Sequence, residues 1–465
     1  MEEKKDNIRK KRAHGDNVRD MTRGGPAGLI LCFALPLMLG NMFQQFYTVV
    51  DTAVVGKVLG VDALAALGAI EWVNWMALGM IQGLTQGFSI LIAREFGAKR
   101  FDRLRSVLWN SIVLCAVLAA AMLVIMELAA GPAIRFLHVP ENIRPMATAY
   151  LRIMYGGIPI MMIYNEEASV LRALGDGRTP LYACVIASFV NIALDCLFVI
   201  VFGWGVEGAA VATLLAQVLA SVYCFVRIRG ISILKKEEGE VHRTEPATCT
   251  VLMKLGMPIT FQFAVISIGG IIVMAVVNKL GVIFIAGMTA VNKLYGLLEV
   301  AATSYGFAMV TYTGQNMGAG RHDRISKGTV AGLVIGLITS AVITAVMILF
   351  ARPILGCFIT AETEGGTEAI GVAVEYLTIM AGTLSVLYVH HIIRSCIQGM
   401  GNTFIPMLSG IGEFIMRTGA AVLLPVLFGA RAIMWAEPLA WLGADLILVP
   451  GYFLMRRKIS KEAAH

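Results

Sequence analysis

Charged residues are scarce in this chain. Only 15% of its 465 residues are charged, whereas 57% are hydrophobic and the mean hydropathy is +0.75. A typical soluble protein carries about 25% charge, and about 20 apolar residues suffice to cross a bilayer. The composition therefore excludes a soluble globular protein and predicts an integral membrane protein with about a dozen crossings.

Motifs for nucleotide hydrolysis and zinc proteolysis are absent. The sequence has no G-x-x-x-x-G-K-[ST] loop and no H-E-x-x-H pair, so the chemistry that depends on these motifs is excluded. His390 and His391 are adjacent and would point in different directions on a helix. We interpret them as polar residues inside a helix bundle, not as a metal pair. The sequence therefore predicts a protein that is not an enzyme and needs no cofactor.

Paired cysteines and a cleavable signal peptide are also missing. The eight cysteines form no C-x-x-C pair and lie mostly in apolar runs, so we expect reduced thiols that fill space. The first 28 residues lack the apolar core of a signal peptide. The net charge of +7 comes mostly from Lys and Arg that flank apolar runs. That placement is typical of membrane topology and does not indicate nucleic-acid binding.

Twelve apolar segments contain most of the hydrophobic residues. With a cytoplasmic N-terminus, the cytoplasmic segments carry 29 of the 38 Lys and Arg, and the outer loops carry 6. Because positive residues favour the cytoplasmic side, both termini are predicted inside, with Lys99 and Lys236 in the cytoplasm and Arg135 outside. The predicted spans are 27–54, 63–91, 106–130, 146–170, 181–203, 206–228, 253–278, 283–313, 329–350, 370–396, 404–428 and 433–455.

Three pairs of similar motifs recur in the two halves of the chain. GFSILIAREFGAKRFDR begins at Gly87 and its counterpart GFAMVTYTGQNMGAGRHDR begins at Gly306. The other pairs are LRALGDGRTPL with IQGMGNTFIPM, and ALPLMLG with GMPITFQ. All three pairs occupy the same loops or helix of each half, which predicts a parallel duplication.

The repeats and the polar stretch between the sixth and seventh segments define the predicted domains. Both halves contain six spans and share one orientation. The domains are a cytoplasmic, solvated arm at 1–26, an N-terminal six-helix lobe at 27–228, a cytoplasmic linker at 229–252, a C-terminal six-helix lobe at 253–455 and a cytoplasmic tail at 456–465.

Ionisable residues inside the predicted spans are the main functional candidates, because a buried charge is costly in a membrane. They are Asp51, Glu71, Asp195, Glu299, Glu413 and Asp445. Any one of them is either a group satisfied by a neighbouring helix or part of a site, and Glu71 and Asp445 are the weaker candidates because they lie near span ends. Asn191 lies four residues before Asp195, on the same helix face.

Two facing carboxylates in a low dielectric need a shared proton or a bound cation. Asn and Thr oxygens would complete a small cation site. Pro36 removes a backbone hydrogen bond from the first helix, so we expect a kink there, either static or acting as a hinge. Pro258 is its counterpart in the second half.

Three stretches together resemble the multidrug and toxic compound extrusion (MATE) transporters. They are FYTVVDTAVVGKVLGVDALAALG at 46–68, GQNMGAG at 314–320, and LRALGDGRTP at 171–180 followed by NIALD at 191–195. The resemblance covers roughly residues 27–455. It implies an all-α membrane protein in which two pseudo-symmetric six-helix lobes surround a central cavity.

The resemblance also implies a function and a set of site residues. Members of this family export bulky, often cationic amphipathic compounds in exchange for sodium ions or protons by alternating access. Carried over to this sequence, the cation pocket of one branch falls on Asp51, Asn191, Asp195 and Thr213. Tyr47 matches a tyrosine beside that pocket and Pro36 matches a proline at which the first helix bends.

One part of the family pattern is missing. Another branch uses an acidic residue of the seventh helix in a C-terminal-lobe site, but GMPITFQFAVISIGGIIVMAVV at 256–277 has no carboxylate. We do not expect Glu299 and Glu413 to form a different site of that kind.

The sequence thus predicts a monomeric multidrug exporter of the cell membrane that binds drugs and organic cations, with Na+ or H+ as coupling ion and the lipid bilayer as its surroundings. The alternatives are a lipid-linked saccharide flippase of the wider superfamily and a membrane-embedded enzyme. A flippase cavity should be basic to hold pyrophosphate, whereas the mid-membrane ionisable groups here are chiefly acidic. An enzyme would need a catalytic constellation, which we do not find.

Overall fold

The computed structural model describes residues 17–137, 139–235, 243–356 and 366–462, except for the side chains of Ala53, Val61 and Val282. Throughout these ranges the secondary structure is helical, with turns and short connections and without a strand. This confirms the predicted all-α fold.

Fifteen α-helices are present in the described ranges. They are α1 Pro26–Leu59, α2 Val61–Gly97, α3 Phe101–Phe136, α4 Arg144–Gly156, α5 Ile158–Ala173, α6 Arg178–Asp195, α7 Gly205–Gly230, α8 Pro246–Val277, α9 Val282–Gly318, α10 His322–Leu349, α11 Ala351–Gly356, α12 Gly366–Gly382, α13 Leu384–Gly399, α14 Phe404–Phe428 and α15 Ala436–Glu462. Two 3-10 turns, Ser232–Leu234 and Ala430–Trp435, and a π-helix, Cys196–Val201, complete the described elements.

Ten of the described helices are long and apolar enough to cross a membrane, and the number is twelve if each of two bent pairs is one span. The bent pairs are α4 with α5, at an angle of 49°, and α12 with α13, at 44°. The structure thus agrees with twelve predicted segments, but the fourth and tenth are broken, which the apolar pattern does not reveal.

The two breaks occur at equivalent places in the repeats. Pro159, near the start of α5, has no N–H to continue the helix hydrogen bonds and clashes with the preceding turn. A Cβ on Gly157 would lie 2.0 Å from the Leu214 side chain, so glycine lets α7 pack against this break. In the second half the break follows Gly382, a residue of low helix propensity.

The described chain divides into two compact units. Among the described residues, the first contains 17–23, 35–260 and 314–320, and the second contains 24–34, 261–313 and 321–462, with the gaps given above. Helix α1 continues through Pro36 without interruption, and the division of the chain falls two residues before this proline. The units therefore do not coincide with simple sequence halves.

Part of the predicted N-terminal arm, at Met21 and Thr22, is buried. Met21 is fully buried and Thr22 nearly so. The backbone N–H of Met21 donates to Gln315 Oε1 over 2.8 Å, and Asn316 Nδ2 donates to the Met21 carbonyl over 3.2 Å. The sequence-based expectation of a solvated arm was wrong here, because charge on neighbouring residues does not reveal a buried backbone segment. Residues 1–16 lie outside the described ranges.

The first pair of repeated motifs meets within the first unit. A Cβ on Gly97 would lie 2.0 Å from the Gln315 carbonyl oxygen, and one on Gly318 would lie 1.8 Å from the Arg94 carbonyl oxygen. The two glycines hold equivalent places in GAKRFDR and GAGRHDR. The ends of α2 and α9 therefore cross backbone to backbone, at a distance that only glycine permits.

The start of α8 is attached to α3 by a polar cluster. Ser106 Oγ donates to Glu245 Oε1 over 3.0 Å, and Thr248 Oγ1 donates to Glu245 Oε2 over 2.7 Å. The Glu245 N–H donates to Asn110 Oδ1 over 2.7 Å. Because these hydroxyl groups favour the ionised carboxyl, they hold the pKa of Glu245 below its ordinary value.

Candidate functional site

Asp195 stands at a change of helix type in the first unit. It is the last residue of α6 and is followed directly by the π-helix Cys196–Val201. Its side chain is fully buried, as is nearly all of Asn191 one turn earlier. Single π-turns inserted in helices are frequent at functional sites, because the altered turn re-aims side chains.

Asn191 connects Asp195 to Thr213. Its Nδ2 atom lies 3.3 Å from Thr213 Oγ1 of α7. When the amide is turned by 180°, its nitrogen donates to Asp195 Oδ2 over 3.1 Å and its oxygen accepts from the Thr213 backbone N–H over 3.3 Å. In either orientation one amide lies between a carboxylate and a threonine, so three of the predicted site residues are neighbours.

Asp51 of α1 is the second carboxylate of this group. Its charge acts on Asp195 and on Tyr47, so the predicted pair is within electrostatic reach. Asp51 Oδ1 and Asp195 Oδ1 are both buried and have no hydrogen-bond partner among the described residues. Buried carboxylates without a counter-charge are costly, and a shared proton or a small cation would lower that cost.

A small cavity adjoins this group. Its volume is about 40 Å³, and its lining includes Gln44 and Tyr47 of α1, Asn191 of α6, and Thr213 and Gln217 of α7. One water molecule needs about 10–15 Å³, so the space suits a few waters or one small cation. A drug-sized ligand needs about 300–1,000 Å³. The cavity therefore fits an ion site and not a drug site.

The predicted residues do not all belong to one group. Asn191, Asp195 and Thr213 are in contact, Asp51 is within electrostatic reach, and Tyr47 lines the adjoining cavity. Pro36 lies fifteen residues before Asp51 on α1, which corresponds to roughly 22 Å along a helix. Pro36 therefore does not line the cavity. It could affect the site only by changing the direction of α1.

Comparison with known proteins identifies the family. The MatE family model matches residues 36–197 and 258–430. The chain belongs to the MATE family. It is 26% identical to the Bacillus subtilis protein named "Probable multidrug resistance protein YoeA" over 90% of this chain and 92% of the relative. It is 31% identical to "Probable multidrug resistance protein YpnP" of the same organism over 66% of this chain and 68% of the relative.

Solved structures show the same fold. A MOP superfamily transporter from Pyrococcus furiosus Vc1 superposes with a TM-score of 0.86 at 23% identity, over 95% of this chain and 97% of the other. The resemblance stated from the motifs is thereby confirmed. As a MATE-family member the chain is a multi-pass membrane transporter of small molecules, and its family and fold are those of transporters and not of enzymes.

Several residues near this candidate site were not found from the sequence. Tyr150 of α4 interacts electrostatically with Asp51, Tyr47 and Asp195, and Tyr164 lines the cavity. Tyrosines are common in apolar spans, so no pattern marks these two.

Glu166 and Glu167 lie inside the predicted span 146–170, so an inventory of buried acids should have included them. Glu167 Oε2 accepts from Ser221 Oγ over 2.7 Å, and Glu166 is buried beside Ser111 and Cys115.

The described residues bear on two expectations, those for metal-binding clusters and for the cysteines. Within the described ranges no group of three or more His, Cys, Asp or Glu side chains could hold a metal ion. That finding does not address a sodium site built from Asp51, Asp195 and two neutral side chains. Seven of the eight cysteines are described, and each of these is a free thiol.

A second polar group lies in the second unit, on α13. His390 Nδ1 lies 3.2 Å from Asp445 Oδ1, and His391 Nε2 lies 3.3 Å from Glu299 Oε1. The two rings are nearly perpendicular, at 87°, and they face different carboxylates. The sequence predicted that the two side chains point in different directions but did not predict these partners. Glu413 belongs to the same group, 4.0 Å from His390 Nε2. Residues that the sequence marked separately therefore converge in the tertiary structure.

Proposed function

We propose that this MATE-family protein is a secondary active multidrug exporter, in which bulky, often cationic amphipathic compounds leave in exchange for Na+ or H+. The coupling cation binds at Asp51, Asn191, Asp195 and Thr213. The proposal is supported most directly by one observation. Asp51 and Asp195 each have a buried carboxylate oxygen without a hydrogen-bond partner among the described residues, and Asp195 is joined through Asn191 to Thr213 beside a cavity of about 40 Å³.

The chemistry of the group fits either coupling ion. A proton shared by Asp51 and Asp195 would remove their mutual repulsion. A sodium ion would do the same, with the Asn191 and Thr213 oxygens as neutral ligands. In both cases the occupied and empty sites differ by a charge in a low dielectric, so the two occupancies favour different conformations.

Further expectations follow from the same proposal. The distribution of Lys and Arg, 29 against 6, supports a cell-membrane protein with both termini in the cytoplasm. The positions that test this topology are Lys99 and Lys236, expected in the cytoplasm, and Arg135, expected outside. Lys236 lies outside the described residues. We expect the protein to act as a monomer, since both carboxylates and both neutral ligands belong to one chain. A saccharide flippase has less support, because the acidic pair would repel a pyrophosphate carrier.

The proposal is tested with Asp51→Asn and Asp195→Asn. Purified protein in nanodiscs is titrated with a fluorescent organic cation at several sodium concentrations and several pH values. Wild-type affinity should fall as sodium or protons increase, by about 5- to 150-fold, which is the usual range of coupling between two sites. Either variant should lose most of this dependence, and efflux driven by an imposed ion gradient should stop.

The matched control is Asp62→Asn, an exposed aspartate in the first turn of α2. It should retain wild-type coupling, which separates the loss of the buried pair from any loss of surface charge. Wild-type protein whose drug affinity ignores both sodium and pH would contradict the proposal and make the acidic pair a structural feature.

A further inference from the structure

Helix α13 carries three polar side chains within two turns in the second unit. His390 and His391 are 2% and 5% exposed. Arg394 lies one turn later, and its two terminal nitrogens reach different rings. Nη1 is 3.2 Å from His390 Nε2, and Nη2 is 3.1 Å from His391 Nδ1.

These contacts determine where each histidine carries its proton. An arginine guanidinium has only N–H donors and stays protonated in proteins, so both ring nitrogens that face Arg394 must accept. The other ring nitrogen of each histidine then bears the proton. It donates to Asp445 from His390 Nδ1 and to Glu299 from His391 Nε2. Both histidines are therefore neutral in this structure, and in opposite tautomers.

The network around them has an excess of negative charge. Arg417 of α14 lies 2.7 Å from Glu413 Oε1 and 2.8 Å from Glu437 Oε2. Together with Glu299 and Asp445, four carboxylates thus face two guanidinium groups while the histidines are neutral. Such a set attracts one or two protons.

Neutral side chains of α9, α12 and α10 also lie near this group. From α9, Tyr295 interacts with Glu299. From α12, Tyr376 lies within electrostatic reach of Glu437 and Arg417. On the side of α10, Thr329 contacts the Cys396 thiol, more than one turn beyond the histidines.

One carboxylate oxygen is positioned to receive a protonated histidine. Glu413 Oε2 is buried and has no hydrogen-bond partner among the described residues, and it lies 4.0 Å from His390 Nε2. His391 has no equivalent second carboxylate, because Glu299 already accepts from it. The two histidines therefore differ, and His390 is the better proton acceptor.

We propose that His390 is a proton-binding site of the second unit, in which a proton added to Nε2 exchanges the contact with Arg394 for one with Glu413. The proton comes from water, the Arg394 N–H···Nε2 hydrogen bond breaks, and an Nε2–H···Oε2 bond forms as the 4.0 Å gap closes. No covalent bond between heavy atoms changes. Proton uptake thereby leaves Arg394 with its contact to His391 alone and joins α13 to α14 through His390 and Glu413.

Histidine NMR of the full chain tests this directly. Protein labelled with ¹⁵N-histidine is placed in nanodiscs and titrated from about pH 8 to about pH 5, a range that contains the ordinary histidine pKa of about 6.5. His390→Gln and His391→Gln assign the two signals, and a glutamine can copy the accept-and-donate pattern of a neutral ring. His322→Gln, a histidine of α10 outside the network, is the control.

The expected spectrum has His390 with its proton on Nδ1 and His391 with its proton on Nε2 at about pH 8. On acidification His390 should become doubly protonated before His391. Glu413→Gln should lower the midpoint of His390 by about one pH unit, a tenfold loss of proton affinity. His390 with its proton on Nε2 at about pH 8, or neutral throughout the titration, would overturn the proposal even if Glu413→Gln fails to fold.

The role of this proton in transport rests on the proposed function, but its binding does not. The titration needs neither drug nor gradient, so its failure is separate from a failure of coupling at Asp51 and Asp195. If the proton also takes part in transport, His390→Gln should reduce the pH dependence of drug affinity and leave the sodium dependence intact.

Discussion

The two units neutralise buried acidic groups in opposite ways. In the first unit Asp51 and Asp195 form no ion pair within the described residues, and Asp195 has the neutral Asn191 beside it. In the second unit Glu413 pairs with Arg417, and both side chains are 6% exposed. Arg394 contacts the two histidines that face Asp445 and Glu299. The cation that we propose for the first group comes from solution, whereas the second group contains two guanidinium groups of its own.

The two halves of the duplication share backbone features and differ in their buried polar groups. The helix breaks near Gly157 and Thr383 and the glycine pair at Gly97 and Gly318 recur in both halves. The buried acidic groups around Asp195 and around His390 do not recur. Backbone geometry constrains a few glycine and proline positions tightly, while a buried polar position can change its chemistry whenever its partners change with it.

The largest expected effect is a difference in protein stability between a variant of the second unit, Arg417→Met, and a variant of the first unit, Asp195→Asn. Arg417→Met leaves Glu413 and Glu437 buried without their cation, and breaking such a pair typically costs about 3–5 kcal/mol. Asp195→Asn removes a buried charge that has no counter-ion in its own unit, so it should be neutral or stabilising. Denaturation of purified protein in detergent, followed at several temperatures, measures both changes.

The control is Arg431→Met. Arg431 forms a 2.9 Å pair with Glu375 that is largely exposed, with side-chain exposures of 67% and 38%, and such pairs are worth about 0–1 kcal/mol. Equal destabilisation by Arg417→Met and Arg431→Met would contradict the contrast between the units.

A smaller effect concerns the choice of ion in the first unit. Thr213→Val and Asn191→Leu remove neutral oxygen ligands but leave both carboxylates titratable. We expect the effect of sodium on drug affinity to fall by at least about fivefold, the lower end of the usual coupling range. The effect of pH should change less. Equilibrium drug binding against sodium at fixed pH, and against pH without sodium, measures each.

The matched control for the threonine change is Thr378→Val in α12, whose hydroxyl donates to the Val374 carbonyl at an exposed position. It should leave both dependences unaltered. Equal loss of sodium and proton sensitivity in Thr213→Val would indicate that the carboxylates alone bind the ion.

The smallest effect lies outside the predicted membrane region, at Glu245. Its folded-state pKa is below the ordinary 4.5, because Thr248 and Ser106 donate to the carboxylate. The resulting stability is therefore fully present above the unfolded-state pKa and is lost as the pH falls through the folded-state pKa. Glu245→Gln should remove this part of the acid sensitivity, as measured by thermal denaturation at a series of acidic pH values.

The exposed Glu207 at the start of α7 provides the control, since Glu207→Gln removes an acid without breaking the α3–α8 cluster. If both variants show the same acid sensitivity as wild type, the hydrogen bonds to Glu245 do not stabilise the fold.

Much of the site was predictable because its signals are local. Asp51 is a single acid in an apolar run, and Asn191 precedes Asp195 by one helical turn, so their unusual character and shared face follow from composition and periodicity. Thr213 and Tyr47 are ordinary residues in a membrane helix. They were found only through resemblance to a family, since no local pattern distinguishes them.

The second polar network was not predictable in the same way. Glu299, His390, Glu413 and Asp445 come from four helices that are far apart in the chain. Considered one at a time, the histidines are ordinary polar residues inside a helix bundle, and Asp445 is an acid near the end of a span. The role of these residues depends on which of their atoms face one another, and helix packing determines that.

The sequence by itself determined the membrane class, the number of spans and the duplication, because hydropathy and repeat spacing act along the chain and need no knowledge of neighbours. Only the tertiary structure decided that Met21 and Thr22 are buried, that α6 is followed by a π-helix at Asp195, and that Arg394 contacts both histidines of α13. Each of these depends on a few ångströms between helices distant in sequence. Burial and hydrogen-bond direction are set by such distances, which composition and periodicity do not encode.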